Sequence, residues 1–343
     1  MKVLAIGDPH FKSDNAEMTS EMGEKVVKLI IKESPDIVVV LGDILHRHEK
    51  IDLHPMHRAI HFLKSIHDAI PKTSWLYVII GNHDRSSNRV YMNDEHAFNG
   101  LKKWRHTLVV DHAMTHEPIP DRKVLLVPYV PTGRFEEAWK TATDNLDDIT
   151  LVMAHQEFAG AKMNAITSHE GDPWDQENPL CISGHIHDYD RLQSNLIYVG
   201  TPIQHSFGDM AKKSVSFFEF KEGSKEYSHK KICLKIRGKT SYTGKIVDYT
   251  DLLKSAKPDL YDIKFRLSGT RQEIKNFSKS IDYLRGVEEG YTFQFMENII
   301  KEPERQGECD DDEQALSSGV DFKTRIYSVL TDKEKVLLDQ ILE

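Results

Sequence analysis

The sequence predicts an α/β fold with a largely parallel sheet, because three apolar strands alternate with two helices in the first 80 residues. The strands are expected at 3–6, 37–41 and 75–80. The last two are apolar without interruption, which indicates burial on both faces of a sheet. Residues 16–33 and 55–70 place apolar side chains at helical spacing and supply the two helices.

Further apolar runs indicate that the sheet continues or that a second sheet packs on the first. They lie at 107–110, 124–127, 150–153, 180–183, 196–199 and 214–220. The segment from about 227 to 300 changes character. Apolar and polar residues alternate at 232–236 and 261–267, as in strands with one buried face, and a helix is expected near 271–284 between strands. We therefore expect a small α+β appendage there.

The C-terminal region divides into a polar linker and an amphipathic tail. Residues 302–319 have almost no large apolar side chain and include four consecutive acids at 310–313. Apolar side chains recover helical spacing in residues 320–343, where Thr331 and Glu334 form a capping box for a last short helix. The tail is therefore expected to be helical.

Composition excludes several classes of protein. The chain has 343 residues, 39% of them hydrophobic, and a formal net charge of −9, which argues against coating nucleic acid through overall charge alone. No apolar run reaches the roughly 18 residues of a membrane span. The three cysteines form no CxxC pair, so we expect no disulfide scaffold and no zinc–thiolate site, and an intracellular, cytoplasmic location. The 18 histidines point instead to metal binding.

Polar residues able to bind a metal follow five of the predicted strands. In chain order they are Asp8 and His10, Asp43, the run Asn82-His83-Asp84, His155, and His185 with His187. Because the carboxyl ends of parallel strands line one crevice, these side chains are expected to converge. Carboxylate, amide and imidazole donors without thiolate favour manganese, iron or zinc in a reactive site over a structural zinc.

The ordered set DxH, GD, GNHD, H and GHxH resembles the signature of the calcineurin-like metallophosphoesterases. The resemblance implies a β-sheet sandwich flanked by helices and a site for two divalent ions. It assigns Asp8, His10 and His187 to one ion and Asn82, His155 and His185 to the other, with Asp43 bridging both. Mn²⁺ is the expected ion, with Mg²⁺, Fe²⁺ and Zn²⁺ as alternatives. Two ions about 3.5–4 Å apart activate water and clamp both reacting oxygens of a phosphoester.

The resemblance also implies catalytic roles outside the ligand set. His83 would face the scissile phosphate, and Asp84 would orient its ring and favour its protonated form. The alternative for Asp84 is a plain turn acid. His46 resembles the extra histidine in the GD-x-x-H motif of the SbcD-type nucleases, which is linked to exonucleolytic cleavage in that family. The alternative for His46 is a surface histidine beside His48.

Other features also resemble SbcD-type subunits, which pair with an SbcC-type coiled-coil ATPase. Residues 198–202 follow GHxH and lead towards a capping domain, and the tail is similar to the segment that grips the ATPase coiled coil. The stretch 155–171 looks most like the short phage-type members. The resemblance implies a DNA exonuclease and endonuclease acting in repair, recombination or replication. A small-molecule phosphodiesterase or phosphoprotein phosphatase is the alternative, and a non-catalytic scaffold is the third class.

These features together divide the chain into four parts. They are a nuclease domain at 1–225, a capping, DNA-contacting domain at 226–301, an acidic linker at 302–319 and a partner-binding helical tail at 320–343. The expected partners are DNA and the SbcC-type ATPase, the latter bound through the tail; no membrane partner is expected. Residues 211–245 carry ten Lys or Arg against three Glu, so they could contact the DNA backbone. A solvated lysine-rich hairpin is the alternative.

A homodimer is also expected. The resemblance places its contact on helices near 55–70 and 94–104. Three aromatic residues support that contact because they lie in segments that otherwise look exposed: Phe62, Phe98 and Trp104.

Overall fold

The computed structural model describes residues 1–48, 50–163 and 166–298. The linker predicted at 302–319 and the tail predicted at 320–343 lie outside the described residues, as do residues 299–301 of the predicted capping domain. No helix in the described part of the chain is long and apolar enough to cross a membrane.

Helices and strands alternate at the start of the chain, and strands predominate afterwards. Up to residue 140 the elements are β1 (Lys2–Ile6), α1 (Ala16–Glu33), β2 (Ile37–Val40), α2 (Leu53–Ala69), β3 (Trp75–Ile79), β4 (Thr107–Val110), β5 (Met114–His116), β6 (Lys123–Val127) and α3 (Phe135–Lys140). From residue 149 to 232 they are β7 (Ile149–His155), β8 (Lys162–Met163), β9 (Ile166–Thr167), β10 (Cys181–Gly184), β11 (Asp190–Gln193), β12 (Leu196–Tyr198), β13 (Val215–Phe220) and β14 (Tyr227–Ile232). The remaining elements are β15 (Gly238–Lys245), α4 (Tyr249–Ser255), β16 (Tyr261–Gly269), α5 (Arg271–Phe277), α6 (Ile281–Glu288) and β17 (Thr292–Glu297).

Two six-stranded sheets form the main body. The first has the order β14-β13-β1-β2-β3-β4, in which β1 to β4 are parallel and β13 and β14 antiparallel. The second has the order β11-β12-β10-β7-β6-β5, with a parallel centre and antiparallel edges. Apolar side chains of both sheets meet between them, while α1 and α2 cover one outer face and α3 the other. The predicted sandwich flanked by helices is confirmed.

Helix α1 shows how the local sequence sets an element. Its side chains Met22, Val26 and Ile30 recur every four residues, are buried, and pack against the first sheet. The helix ends where Ser34 adopts φ 45° and its amide donates to the Ile30 carbonyl, one residue before Pro35. The residue range matches the prediction, because amphipathic spacing and a proline stop are both local signals.

The region after residue 237 is a three-stranded parallel sheet in the order β15-β16-β17, with α4, α5 and α6 packed through an aromatic-rich core. The boundary predicted at residue 226 falls inside the β13–β14 hairpin, since β14 pairs with β13 in the first sheet. The strand expected at 232–236 is therefore only the end of β14. The helix expected at 271–284 forms as two, because Ser280 caps α6 by accepting from the Tyr283 amide.

The aromatic residues cited in support of a homodimer contact belong to the core. Phe62 and Phe98 are 3% and 0% exposed, and Trp104 is half-buried against the same apolar cluster under α1 and α2. Their side chains pack within the subunit, so they do not form the exposed aromatic face that the sequence indicated. The homodimer stays a prediction.

Candidate metal centre

The residues predicted as ligands converge where the carboxyl ends of the two sheets meet. Asp8 and His10 follow β1, Asp43 follows β2, Asn82 follows β3, His155 ends β7, and His185 and His187 follow β10. β1 to β3 belong to the first sheet and β7 and β10 to the second. Residues separated by up to 179 positions in the chain, such as Asp8 and His187, are therefore neighbours in space.

One group consists of Asp8, His10 and His187. Each offers a ligand atom, and these atoms lie within 4.8 Å of one another. Nε2 of His10 is 3.1 Å from Nε2 of His187. Asp8 and His10 are buried, whereas His187 is exposed at the rim. This is the set that the resemblance assigned to one ion.

A second group consists of Asp43, His155 and His185, again with ligand atoms within 4.8 Å of one another. The side-chain oxygen of Asn82 lies 2.9 Å from His155 Nε2 and 3.1 Å from His185 Nδ1. Asp43 reaches both groups, since Oδ1 is 3.4 Å from His155 Nε2 and Oδ2 is 3.7 Å from His10 Nε2. Its carboxylate therefore occupies the position of a bridge.

The charges of the centre fit divalent cations. Burial raises the pKa of Asp8 to about 8, and burial together with the charge of Asp8 raises the pKa of Asp43 well above its ordinary value. Burial and neighbouring imidazoles lower the pKa values of His10 and His155, so both rings are neutral and keep a lone pair. Apart from Lys213, little positive charge lies near these buried carboxyl groups, and bound divalent ions would stabilise their ionised forms.

Backbone carbonyls select the nitrogen that each buried imidazole presents. A carbonyl only accepts, so Nδ1 of His155 donates to the Leu41 oxygen at 2.6 Å, and Nδ1 of His10 donates to the Leu45 oxygen at 3.2 Å. Both rings therefore direct an unprotonated Nε2 into the centre. Such outer contacts fix the tautomer and the orientation of metal-binding histidines.

Three residues of the centre hold an unusual backbone conformation. His10, Asp43 and His185 have φ values of 43°, 47° and 80°, in the left-handed region that side-chain-bearing residues seldom adopt. Such conformations cost about 1–3 kcal/mol each and persist where surrounding contacts impose them. Their concentration at the strand ends marks this edge as a site built for ligand geometry.

The glycines in the GD and GH motifs allow the two sheets to approach each other. A Cβ at Gly42 would lie 2.4 Å from Nδ1 of His155, and one at Gly184 would lie 2.3 Å from the Leu41 oxygen. Gly42 also has φ 93°. Any side chain at either position would push the ligand-bearing loops apart.

His83 lies at the mouth of the centre. Its amide donates to Oδ1 of Asp43 at 2.8 Å, its Nδ1 donates to the His46 carbonyl at 2.8 Å, and its ring is 5.1 Å from that of His10. Burial, followed by the nearby His48, lowers the pKa of His83 to about 4. This low pKa favours the neutral ring, whereas the resemblance implies a protonated one; the protonated form stays a prediction.

The contacts of Asp84 differ from those that the resemblance implied. Its carboxylate accepts from the amides of Ile44, Leu45 and Gly81 at 3.2, 2.9 and 3.0 Å. The Nδ1 atom of His83 contacts the His46 carbonyl and not Asp84, whose carboxylate links the loop after β3 to the loop after β2. Asp84 is buried, and these contacts favour the alternative of a turn acid; its orienting role stays a prediction.

His46 lies beside the centre and is also exposed. Its ring is 5.2 Å from that of His10 and parallel to that of His83 at 5.9 Å. His48, which the sequence did not single out, stacks on His83 at 4.3 Å and donates from Nδ1 to the Asn82 carbonyl.

Two further neighbours of the centre, Glu157 and His205, were not predicted from the sequence. Glu157 places Oε2 3.9 Å from Nε2 of His185, and Nε2 of His205 donates to the Asp8 carbonyl at 3.0 Å. Glu157 could have been predicted as a neighbour of the centre, because it comes two residues after His155, at the end of a strand. His205 lies in a loop well beyond His187, and no spacing in the sequence marks it.

Comparisons with known proteins agree with this geometry. A family model described as calcineurin-like phosphoesterase matches residues 1–189. "Putative phosphoesterase 078R" of Invertebrate iridescent virus 3 is 37% identical over 301 residues, covering 86% of this chain and 84% of that protein. "Putative phosphoesterase 244L" of Invertebrate iridescent virus 6 is 36% identical over 283 residues, covering 81% and 98%.

Solved structures give weaker likenesses. A phosphoesterase from E. coli aligns with a TM-score of 0.32 at 12% identity, covering 68% of this chain and 100% of that one. A hypothetical protein from Thermus thermophilus aligns with a TM-score of 0.38 at 15% identity, covering 67% and 98%. The family assignment rests on the sequence matches together with the ordered ligand set. The chain belongs to the calcineurin-like phosphoesterase family.

Proposed function

We propose that this phosphoesterase is a metal-dependent DNA nuclease that hydrolyses phosphodiester bonds at a two-ion centre. The observation that carries the proposal is the convergence of Asp8, His10, Asp43, Asn82, His155, His185 and His187 on one edge of the sandwich, with His83 and His46 beside them. Bound divalent ions would polarise the phosphoryl oxygens and neutralise charge that develops in the transition state. Mn²⁺ is the proposed ion, consistent with the mixed oxygen and nitrogen donors.

The tautomer of His83 defines what that residue contributes. Because Nδ1 donates to a carbonyl and the pKa of the ring is low, Nε2 carries a lone pair at neutral pH. Nε2 lies 3.9 Å from Oδ2 of Asp43, at the open side of the centre. We infer that His83 accepts a proton or a hydrogen bond from a reacting group there.

The surroundings of the centre support a polyanionic substrate. A cavity of about 320 Å³ adjoins the exposed ring of His46 and is lined by Lys12, Arg47 and Lys50, with carboxylates at the rim that neutralise part of the charge. A second hollow shares Arg47 and Lys50 and adds Arg89. Several cations next to the centre suit a polymer with neighbouring phosphates better than a small diester.

The experiment compares polymeric and small substrates with the same protein preparation. Supercoiled plasmid, linear duplex and single-stranded DNA are incubated with Mn²⁺ beside bis(p-nitrophenyl) phosphate and p-nitrophenyl phosphate, with Asp43→Asn as the inactive control. We expect DNA cleavage that requires Mn²⁺ and is lost in Asp43→Asn. Efficient hydrolysis of the aryl esters with intact DNA would favour the alternative, a small-molecule phosphodiesterase or phosphatase.

His46 separates two kinds of nuclease activity within this proposal. If its exposed ring positions a DNA end, His46→Ala should lose exonuclease activity on duplex ends more than endonuclease activity on single strands. His61→Ala is a matched histidine change on the outer surface of α2. Equal loss of both activities in His46→Ala, or no loss, would return His46 to the class of surface residues.

A further inference from the structure

The loop from residue 204 to 209 contacts the three-stranded unit through its first residue. Oε1 of Gln204 accepts from the Lys239 amide at 2.7 Å, and Nε2 donates to the Lys239 carbonyl at 3.2 Å. The side chain is 4% exposed, so it binds β15 much as a neighbouring strand would. A Cβ at Gly238 would lie 2.7 Å from Oε1 of Gln204, so this approach uses the bare backbone of a glycine.

The next residue of the loop contacts the metal centre. The Asp8 carbonyl can only accept, so His205 donates to it from Nε2 at 3.0 Å. The ring of His205 lies edge-on to that of His10 at 4.9 Å and is 5.4 Å from that of His187. His205 therefore touches all three residues of one ligand group. Its own amide is held by Oδ2 of Asp209 at 2.7 Å.

A second attachment fastens the loop to the three-stranded unit. The ring of Phe207 lies 5.4 Å from Nζ of Lys239 and 4.9 Å from Nζ of Lys264. These lysines belong to the neighbouring strands β15 and β16. The loop is thus anchored at two points on one sheet and at one point on the Asp8 side of the metal centre.

We propose that the loop 204–209 transmits the position of the three-stranded unit to the ion held by Asp8, His10 and His187, with His205 acting as a positioning residue. Gln204 and His205 are consecutive, so a displacement of β15 that moves Gln204 also moves the donor to Asp8. Asp43, His155 and His185 lie outside this loop and have no contact with His205. Their link to the loop is indirect, through the His185 amide, which donates to the Asp8 carboxylate at 2.9 Å, and through the bridging position of Asp43. The effect therefore falls first and most strongly on the ion held by Asp8, and whatever shifts the three-stranded unit shifts the affinity for that ion.

The test measures Mn²⁺ binding to the full chain, by the electron paramagnetic resonance signal of free Mn²⁺, together with thermal stability. The variants are His205→Ala, His205→Gln and Gln204→Ala. Gln can place its amide nitrogen where Nε2 of His205 lies, so His205→Gln keeps the donor. Gln294→Ala is the matched control, because this exposed glutamine lies on β17, the strand at the opposite edge of the same sheet.

In wild type we expect two equivalents of Mn²⁺. His205→Ala should weaken one of them by about tenfold, the lower end of the effect of outer-shell partners, and weaken the other by much less. His205→Gln should restore the lost affinity, and Gln204→Ala should weaken the same equivalent although its side chain is bound to β15.

Unchanged binding in His205→Ala, equal weakening of both equivalents, or the same change in Gln294→Ala as in Gln204→Ala would overturn the coupling while leaving the proposed nuclease standing. Fewer than two equivalents in wild type would overturn the two-ion centre itself, and the coupling with it.

Discussion

At the scale of single residues, His83 gives the clearest test of a catalytic role that is separate from metal binding. It contacts the centre but belongs to neither ligand group. Removing a positioned acid or base lowers turnover by about 10²–10⁴-fold. His83→Ala should therefore lose most activity on the cleaved substrate while metal content, measured by inductively coupled plasma mass spectrometry, stays at the wild-type value. A variant that loses metal would show that His83 holds an ion.

The convergence of the candidate ligands could be predicted because each stands at the end of an apolar strand and has a side chain that can bind a metal ion. The hydrogen-bond partners of Asp84 could not be predicted from the sequence. They are backbone amides, which every residue except proline carries, so the type of residue does not indicate them. The low pKa of His83 could not be predicted from the sequence either. It follows from burial and from His48, both of which depend on the folded loops.

At the scale of elements, local signals located the helices and central strands well, as the bounds of α1 show. Membership of a sheet is a long-range property, so the sequence could not tell that β14 extends the first sheet and that the smaller unit starts near Gly238. The choice between one helix and two near residue 280 depended on whether Ser280 would act as a cap.

Asp111, which directly follows β4, offers a test of the contacts that hold the end of this strand. Burial alone would raise the pKa of Asp111, but hydrogen bonds from His96, Lys102 and His112 together hold it well below its ordinary value. Because the folded pKa lies below the unfolded value of about 3.9, the stabilisation is complete above about pH 5 and is lost as the pH falls towards the folded pKa.

Asp111→Asn should therefore lower the free energy of unfolding at pH 7 by on the order of 1–3 kcal/mol, the cost of leaving buried donors with a poorer acceptor. The difference from wild type should shrink as urea denaturation is repeated at lower pH. Asp144→Asn, an exposed acid, serves as the control. A difference that stays constant from pH 7 to pH 3 would contradict the assignment.

At the scale of the whole molecule, the tail at 320–343 lies outside the described residues, and its role is a proposal from the sequence. Its apolar side chains would gain roughly 25 cal/mol for each Å² buried on a partner. Deleting 320–343 should leave the Mn²⁺-dependent cleavage of the isolated protein intact and sharply reduce binding to an SbcC-type coiled-coil ATPase, measured by surface plasmon resonance. Unfolding of the truncated chain, or undiminished binding, would show that the tail is structural.

The two-ion centre is the claim on which the rest of the account depends, and anomalous scattering tests it most directly. Crystals soaked in Mn²⁺ and measured at the manganese edge should show two peaks roughly 3.5–4 Å apart. The peaks should flank the Asp43 carboxylate, with Asp8, His10 and His187 around one and Asn82, His155 and His185 around the other. A single peak, or peaks away from Asp43, would contradict the account.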